Sequence, residues 1–417
     1  MSPLKDETYF QAFQPYPWVS IGAPFVEACK YHAAETFGAT RIYIIVSNSI
    51  SKTNTFTSLK EALGDKVVGV RYGIRQHVPW PDVLEIAADL RDLRVDLIIT
   101  LGAGSLTDGA KVASFAAANG AFTLDALDKL HIGSKPDPSQ LKACKIPTIN
   151  IPTSLSGGEY NPHGGATDWR NHRKTSFQHS SLGAKLVILD PALTVSTPEK
   201  VWLSSGMRAV DHCVEGLCSS FFRDGADDGK KAEVEKTMAK GLALLLPNLI
   251  ITKQRPEDVE ARKGEMLGVI EAMRGLKDGG VTMGASHGIG HQLGPLGVGH
   301  GETSCVMLPS VLRWNLDHGD DWVKKRQQKV LDAFWANEPV AKALEGKGLQ
   351  RETATAGDAV SAFVAALGLP GSLKDVGIGS DKLDALAANS MTDRCIPTNP
   401  VEIRHVEQVR EILELAL

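Results

Sequence analysis

Over its first half the chain alternates short β-branched runs with amphipathic helical spacing, and near residue 190 that alternation stops. This switch limits the possible folds more than any other feature. Strand signals fall at 41–47 (RIYIIVS), 67–71, 96–101 (DLIITL), 148–151 and 186–189, with helical spacing at 26–37, 58–63 and 82–91. Continuous apolar strands that alternate with helices imply βαβ units and a parallel sheet buried on both faces. After Pro191 the pattern is helical: 200–220, 227–245, 258–273, 284–293, 322–335, 356–367 and 406–415. The expectation is an α/β N-terminal domain of the dinucleotide-binding type over 1–193 and an all-α C-terminal domain over 194–417. The Gly-, Pro- and Lys-bearing segment 119–141 reads as a surface loop.

A length of 417 residues is too great for one core and agrees with two domains. The net charge of −4 offers no basic surface for nucleic acid. Cys29, Cys144, Cys213, Cys218, Cys305 and Cys395 are scattered without a CxxC pair, a usage that fits reduced thiols rather than a disulfide framework. The first residues lack a basic stretch followed by an apolar one, and no apolar run approaches ~20 residues. A cytoplasmic protein with a small-molecule partner, and with neither nucleic acid nor membrane, is expected.

The run 97–101 leads directly into GAGSLTDGAK (102–111), giving strand, glycine-rich turn, then helix. Small residues at Gly102, Ala103, Gly104 and Ser105 let backbone approach a pyrophosphate, and a helix N-terminus supplies N–H groups and a positive dipole end. The spacing is not GxGxxG, so a simple strand–helix turn is the competing reading. A second loop, IPTSLSGGEY (151–160), follows the next strand, and its Thr153 and Ser154 suit phosphate or nicotinamide contacts. Two such loops at neighbouring strand ends are more specific than one.

His212 lies in GMRAVDHCVE (206–215); His287 and His291 lie in SHGIGHQLG (286–294); His300 follows in VGHGE (298–302). His287 and His291 are one helical turn apart and share a face. The bend at 294–297 (GPLG) can fold His300 back toward them. Converging imidazoles bind a divalent metal or relay protons; the bland alternative is four unrelated core or surface histidines.

Together these four segments, in order, resemble the iron-containing alcohol dehydrogenase superfamily and, within it, the maleylacetate reductases. The resemblance spans nearly the whole chain: GAGSLTDGAK is similar to the family's GGGSxxDxAK, which includes Asp108, and IPTSLSGGE to its second nucleotide loop. It implies the dehydroquinate synthase-like fold, a dinucleotide domain plus a helical domain with the active site between them, an NAD or NADP cofactor and a homodimer. It also implies His212, His287 and His300 as ligands of Fe or Zn, with His291 as an additional proton-relaying histidine. The family's aspartate ligand, four residues before the first histidine, is Arg208 here. A guanidinium stays protonated and cannot ligate a metal. At ~4 Å and an effective dielectric near ~20 it repels a unit positive charge by about 4 kcal/mol, and a dication by more. Asp211 points ~100° around the helix from His212 and is a poor substitute.

Weak or absent metal binding is therefore expected, as the resemblance to maleylacetate reductases implies. The implied activity is NAD(P)H-dependent reduction of a small carbonyl or enoate bearing a carboxylate, with Arg208, His212, His287, His291 and His300 as catalytic candidates. Arg208 would hold a carboxylate or a developing oxyanion; paired with Asp211 or Glu215 it would only shape its helix. Glu215 itself reads as structural. A metal-dependent alcohol dehydrogenase and a non-redox protein on the same scaffold are the alternatives. Cofactor-binding candidates are Gly102, Ala103, Gly104, Ser105, Asp108, Thr153, Ser154 and Asn48. The first strand ends in Ser47-Asn48-Ser49, with no carboxylate to repel a 2′-phosphate and Lys52 close by, so NADP is allowed beside NAD. His77 reads as a loop residue, and His163, Asp168, Trp169 and Lys174 as a polar segment facing solvent or substrate.

Overall fold

The computed structural model describes residues 4–75, 77–170, 173–224 and 227–417. The chain divides into two compact units, Met1–Thr194 and Val195–Leu417.

The first unit is built on nine strands: β1 (Thr8–Gln11), β2 (Trp18–Ile21), β3 (Ile42–Val46), β4 (Val67–Tyr72), β5 (Leu97–Gly102), β6 (Thr148–Pro152), β7 (His163–Asp168), β8 (Arg173–Gln178) and β9 (Leu186–Leu189). Seven of them form one sheet in the order β1-β2-β9-β6-β5-β3-β4, parallel except for the β1–β2 pair, while β7 and β8 form a separate antiparallel hairpin. The helices are α1 (Phe25–Tyr31), α2 (Asn54–Leu63), α3 (Trp80–Asp92), α4 (Gly104–Ala118), α5 (Leu124–Asp128) and α6 (Pro191–Thr194).

Two-residue periodicity sends alternate strand residues to opposite faces. Ile42, Ile44, Val46, Leu97, Ile99 and Leu101 pack with Phe25 and Cys29 of α1 and Phe56 and Leu59 of α2. Tyr43, Ile45 and Ile98 pack on the other face with Val83 and Ile86 of α3 and Ala113 and Phe115 of α4. Since both faces are covered, these strands read as unbroken apolar runs. The chain leaves β3 toward β4 on one side and returns to β5 on the other, which places a switch point between β3 and β5. Ligands of open α/β sheets bind outside the carboxyl ends of the strands at such a point.

The strands expected at 41–47, 67–71, 96–101, 148–151 and 186–189 form within a residue of those bounds. Strands β1, β2, β7 and β8 were not foreseen: β1 and β2 have only four residues each, and β7 (HGGATD) and β8 (RKTSFQ) are mostly polar or glycine. The segment 119–141, expected as loop, contains the short helix α5 and single 3₁₀ turns.

The second unit is helical: α7 (Glu199–Cys218), α8 (Phe221–Asp224), α9 (Asp228–Gln254), α10 (Val259–Lys277), α11 (Ala285–Leu293) and α12 (His300–His318), then five more helices between Asp321 and Leu415. Helix α12 was not anticipated: Pro309 interrupts its text, yet its cost is absorbed because the helix is buried over most of its length. The helix expected at 227–245 runs on through Pro247 to Gln254. Among the described residues no helix is long and apolar enough to cross a membrane.

Several polar groups are built into this helical core, Glu265 among them. Glu265 on α10 is fully buried, and its Oε2 accepts from Trp202 Nε1 at 2.6 Å. Burial pushes its carboxyl up to about 7. Raised above its unfolded value of ~4.3, it contributes stability that is present below that value and lost as pH rises toward 7. Glu265→Gln keeps an acceptor for Trp202 and is expected to flatten this fall, which is at most ~1.4 kcal/mol per pH unit. Urea midpoints of both proteins at about pH 5 and about pH 8 check this; equal pH slopes would refute it.

Candidate active site

In the first unit, the carboxyl ends of β3, β5 and β6 bring together the segments expected to hold a dinucleotide. Gly102 ends β5 with φ 147°, and a Cβ there would lie 2.7 Å from Leu106 Cδ1 and 3.1 Å from Ser47 Cβ. Only glycine fits that turn without strain. Helix α4 starts at Gly104 behind Ala103, which has no side chain to cap it, so the first-turn N–H groups are left without a side-chain acceptor. The two loops are joined directly: Thr153 N donates to Gly102 O at 3.1 Å. A Cβ on Gly104 would meet only Ser156 Cβ, at 3.7 Å, and Ser154 and Ser156 pair hydroxyl to hydroxyl at 3.3 Å. Ser105 and Asn48 are exposed, and the Asn48 amide lies over Gly73 at the end of β4.

Asp108 is half-buried one turn along α4 and faces Gly165 of the β7–β8 hairpin. Lys111, quoted within the motif but given no role, is buried, and its ammonium donates to Gly158 O (2.5 Å), His163 O (2.8 Å) and Asn161 Oδ1 (3.2 Å). It thereby ties α4 to the second loop. Burial lowers its pKa, with Asp108 and Glu159 opposing. The polar segment 163–174 is mostly accounted for by the hairpin itself. Asp168 is buried and ion-paired with Arg170 at 2.8 Å, while Trp169 is exposed. His77 is an exposed loop residue whose carbonyl accepts from Thr167.

In the second unit, α7, α11 and α12 assemble a buried polar cluster around three of the four expected histidines. His212 stacks on His287 with ring centroids 4.9 Å apart, and His291 meets His287 edge-on at 6.3 Å. His300 is exposed at the first residue of α12, and its carbonyl accepts from Thr303 Oγ1. That same hydroxyl accepts from Arg208 Nη1 at 3.3 Å, and Ser304 Oγ accepts from Nη1 at 3.1 Å. Arg208 is 2 % exposed and its Nε has no hydrogen-bond partner. Among the described residues no carboxylate ion-pairs with it; the pairing with Asp211 or Glu215 considered from sequence does not form. Instead Ser304 relays between them, donating to Asp211 Oδ2 at 2.6 Å. Gly290, between His287 and His291 in sequence, makes room for this packing: a Cβ there would lie 3.1 Å from Thr303 Oγ1.

Two carboxylates organise the cluster. Asp211 accepts from Ser286 Oγ and Ser304 Oγ. Glu215 accepts from the N–H groups of Gly284 and Ser286, the entry to α11, and faces His287 Nδ1 at 2.7 Å. Burial raises the pKa of both, and Glu215 raises Asp211 further. Burial holds the His212 and His287 imidazoles well below the usual histidine range; for His212 the neighbouring His287 and then Arg208 add to this, and for His287 Arg208 and then His291 do. Both rings are therefore neutral at physiological pH, with His212 Nδ1 and His287 Nε2 buried and unpartnered. Sequence reasoning missed Ser286, Thr303, Ser304 and Asp393. The two serines and Thr303 carried no signal beyond their nearness to the histidines, and Asp393 lies about a hundred residues beyond His291.

A profile of the Fe-containing alcohol dehydrogenase family, C-terminal, matches residues 202–417, and one of the iron-containing alcohol dehydrogenases matches 23–191. The chain belongs to the iron-containing alcohol dehydrogenase family. It is similar to dehydrogenase ALT3 of Alternaria alternata, 45% identical over 387 residues covering 91% of this chain and 100% of that one. It is similar also to dehydrogenase FUM7 of Gibberella moniliformis, 42% identical over 411 residues and 96% of each chain. Maleylacetate reductase 1 of Cupriavidus pinatubonensis is 28% identical over 276 residues, 66% of this chain and 67% of that one. The same fold occurs in sulfoacetaldehyde reductase from Bifidobacterium kashiwanohense, solved in complex with NAD+, at a TM-score of 0.77 and 20% identity over 98% of this chain and 99% of that one. The ordered motifs thus belong to a family of dehydrogenases and reductases, as the resemblance implied.

Gly102 and Gly104 separate a mere turn from a phosphate cradle. Gly102→Ala is expected to cost about 1–3 kcal/mol of stability, from strain at its φ. Gly104→Ala has room in the protein and should leave stability unchanged, yet weaken NADH and NADPH binding at least ~10-fold (about 1.4 kcal/mol) by fending off the diphosphate. Calorimetric titration with both dinucleotides measures this. Unaltered affinity in Gly104→Ala would reduce the loop to a turn.

Proposed function

We propose that the chain is an NAD(P)H-dependent reductase of the maleylacetate reductase kind, working without a metal on a small carbonyl or enoate substrate that bears a carboxylate. The observation that carries this reading is the buried Arg208 guanidinium with hydroxyl partners but no ion-paired carboxylate. Asp211, Glu215 and His287 bring ligand-type atoms within 4.8 Å of one another, but Arg208 stands among them. The residue where the family places an anionic ligand is a fixed cation, and a second cation near it would be repelled by several kcal/mol at the effective dielectric of a protein site. A carboxylate, or the oxygen of a carbonyl gaining negative charge, is what such a site favours.

When bound, the dinucleotide supplies a hydride from nicotinamide C4 to the substrate carbon. Gly102, Ala103, Gly104 and Ser105 are assigned to its diphosphate, and Thr153 and Ser154 to its phosphate or nicotinamide side. Arg208 stabilises negative charge, and His291, the most exposed of the three clustered rings, handles the proton. His212 and His287, kept neutral, line the site without adding positive charge. With Ser47-Asn48-Ser49 at the end of β3 there is no carboxylate to reject a 2′-phosphate, so NADPH as well as NADH is expected to serve.

A second reading has its own observation. The two unpartnered ring nitrogens, His212 Nδ1 and His287 Nε2, are lone-pair donors of the type that binds Fe or Zn. Loss of reduced-nicotinamide absorbance with maleylacetate and a panel of aldehydes and ketones, before and after chelation, separates the two. Activity is expected to survive chelation, and Arg208→Met is expected to lower kcat/KM for carboxylate substrates roughly 100-fold, about 2.7 kcal/mol. Activity abolished by the chelator and restored by Fe or Zn would overturn the metal-free reading.

A further inference from the structure

Asp393 lies in the turn after the helix Leu383–Ser390, where no motif pointed, and its Oδ2 is 2.9 Å from His291 Nδ1. Its other oxygen, Oδ1, accepts from Cys395 N at 2.9 Å. The turn is held in place from two directions. Thr398 Oγ1 donates to Met283 O, just before α11, and to Cys395 O. Ile396 packs on Gly288 of α11, where a Cβ would come within 2.9 Å of its Cδ1. The carboxylate is therefore fixed against the helix that carries His287 and His291, rather than meeting His291 as a mobile surface partner. The Cys395 thiol beside it is pushed up to about 12 by burial and by Asp393, so without a metal it stays protonated and is a poor nucleophile.

We propose that Asp393 is a positioning residue for the proton-relaying His291. It takes the Nδ1 proton of the ring and so fixes the tautomer in which Nε2 is the nitrogen that accepts a proton from the substrate or, once protonated, gives one to it. The inference rests on the oxidoreductase reading for its purpose, and on geometry for its content. A carboxylate can only accept, so the nitrogen facing it must be the one bearing hydrogen. Burial alone would raise the Asp393 carboxyl, yet the His291 bond and charge hold it below the usual carboxylate range, so it is ionised. In the reduction, protonated His291 Nε2 would give its proton to the carbonyl oxygen as the reduced dinucleotide, when bound, supplied hydride to the carbonyl carbon, leaving an alcohol, oxidised dinucleotide and a neutral ring. The reverse step returns the alcohol proton to Nε2 as hydride leaves. In either direction the ring must present Nε2, and Asp393 decides that it does.

Asp393→Asn makes the test sharp. Cys395 N–H still needs an acceptor, so the amide oxygen stays at the Oδ1 position and the NH₂ turns toward His291. A donor there forces Nδ1 to accept and moves the ring proton to Nε2. Long-range ¹⁵N–¹H correlation spectra of histidine-labelled protein, assigned with His291→Gln, read this without any substrate. The expected result is an Nδ1–H ring in the native protein and in Asp393→Glu, and an Nε2–H ring in Asp393→Asn. With the substrate found in the absorbance assay, Asp393→Asn should lower kcat roughly 100-fold or more with KM for the dinucleotide nearly unchanged, and Asp393→Glu should recover part of it. A native ring already protonated at Nε2, or a tautomer that Asp393→Asn leaves untouched, overturns the proposal even if the protein proves an active reductase. A tautomer that switches as expected in a protein with no reductase activity would leave the positioning intact and sink the redox reading.

Discussion

A buried cation that makes no direct ion pair among the described residues is the constraint around which the polar cluster of the second unit is arranged. Taking a guanidinium out of water is costly, and protein interiors usually meet that cost with a direct ion pair. Arg208 is met instead by the hydroxyls of Thr303 and Ser304, with Asp211 one hydroxyl away. This arrangement leaves the positive charge without a direct ion pair, supported at a distance by Asp211 and Glu215, and the buried imidazoles neutral. It accounts for the absence of side chains at Gly290, where α11 must come close to Thr303, and for the two serines that satisfy Asp211. Hydroxyls and carboxylates link Arg208, Asp211 and the entry to α11, while Arg208 Nε, Asp211 Oδ1, His212 Nδ1 and His287 Nε2 stay without hydrogen-bond partners among the described residues.

The first unit solves a different problem with simpler means. Its parallel strands are covered on both faces, so the only backbone they offer to a ligand lies at their ends. The reversal of strand order between β3 and β5 opens those ends at one place. The glycine at the end of β5, the uncapped start of α4 and the serine-rich loop after β6 all fall there. Lys111 then fixes the second loop to the helix through three oxygens, a use of charge for construction rather than for ligand contact.

How much of this was legible follows from how far each signal reaches along the chain. The five parallel core strands, the amphipathic helices around them and most helices of the second unit announce themselves by periods of two and 3.6, which are local. The antiparallel edge pair β1–β2 does not, being only four residues a strand, nor does the β7–β8 hairpin, whose strands are mostly polar or glycine. Helix α12 was hidden by a proline that an isolated helix would not accept but a well-packed one does. At the site, the glycine loops and the His287–His291 pair are local motifs; Asp393 reaches its partner from a turn far along the chain.

The sequence by itself determined the succession of α/β and helical segments, the glycine-rich turn after β5, and the place of Arg208 one helical turn before His212. These are properties of residue type and short spacing, and they hold whatever the distant parts of the chain do. Only the tertiary structure decided that Arg208 is answered by hydroxyls and not by a direct ion pair with Asp211 or Glu215, that His212 stacks on His287 and His291 meets it edge-on while His300 stands exposed at a helix start, and that Asp393 faces His291. Each of those outcomes depends on which side chains from separate helices come within about 3 Å of one another, and hydrogen-bonding distance is set by packing, to which spacing along a single element is blind.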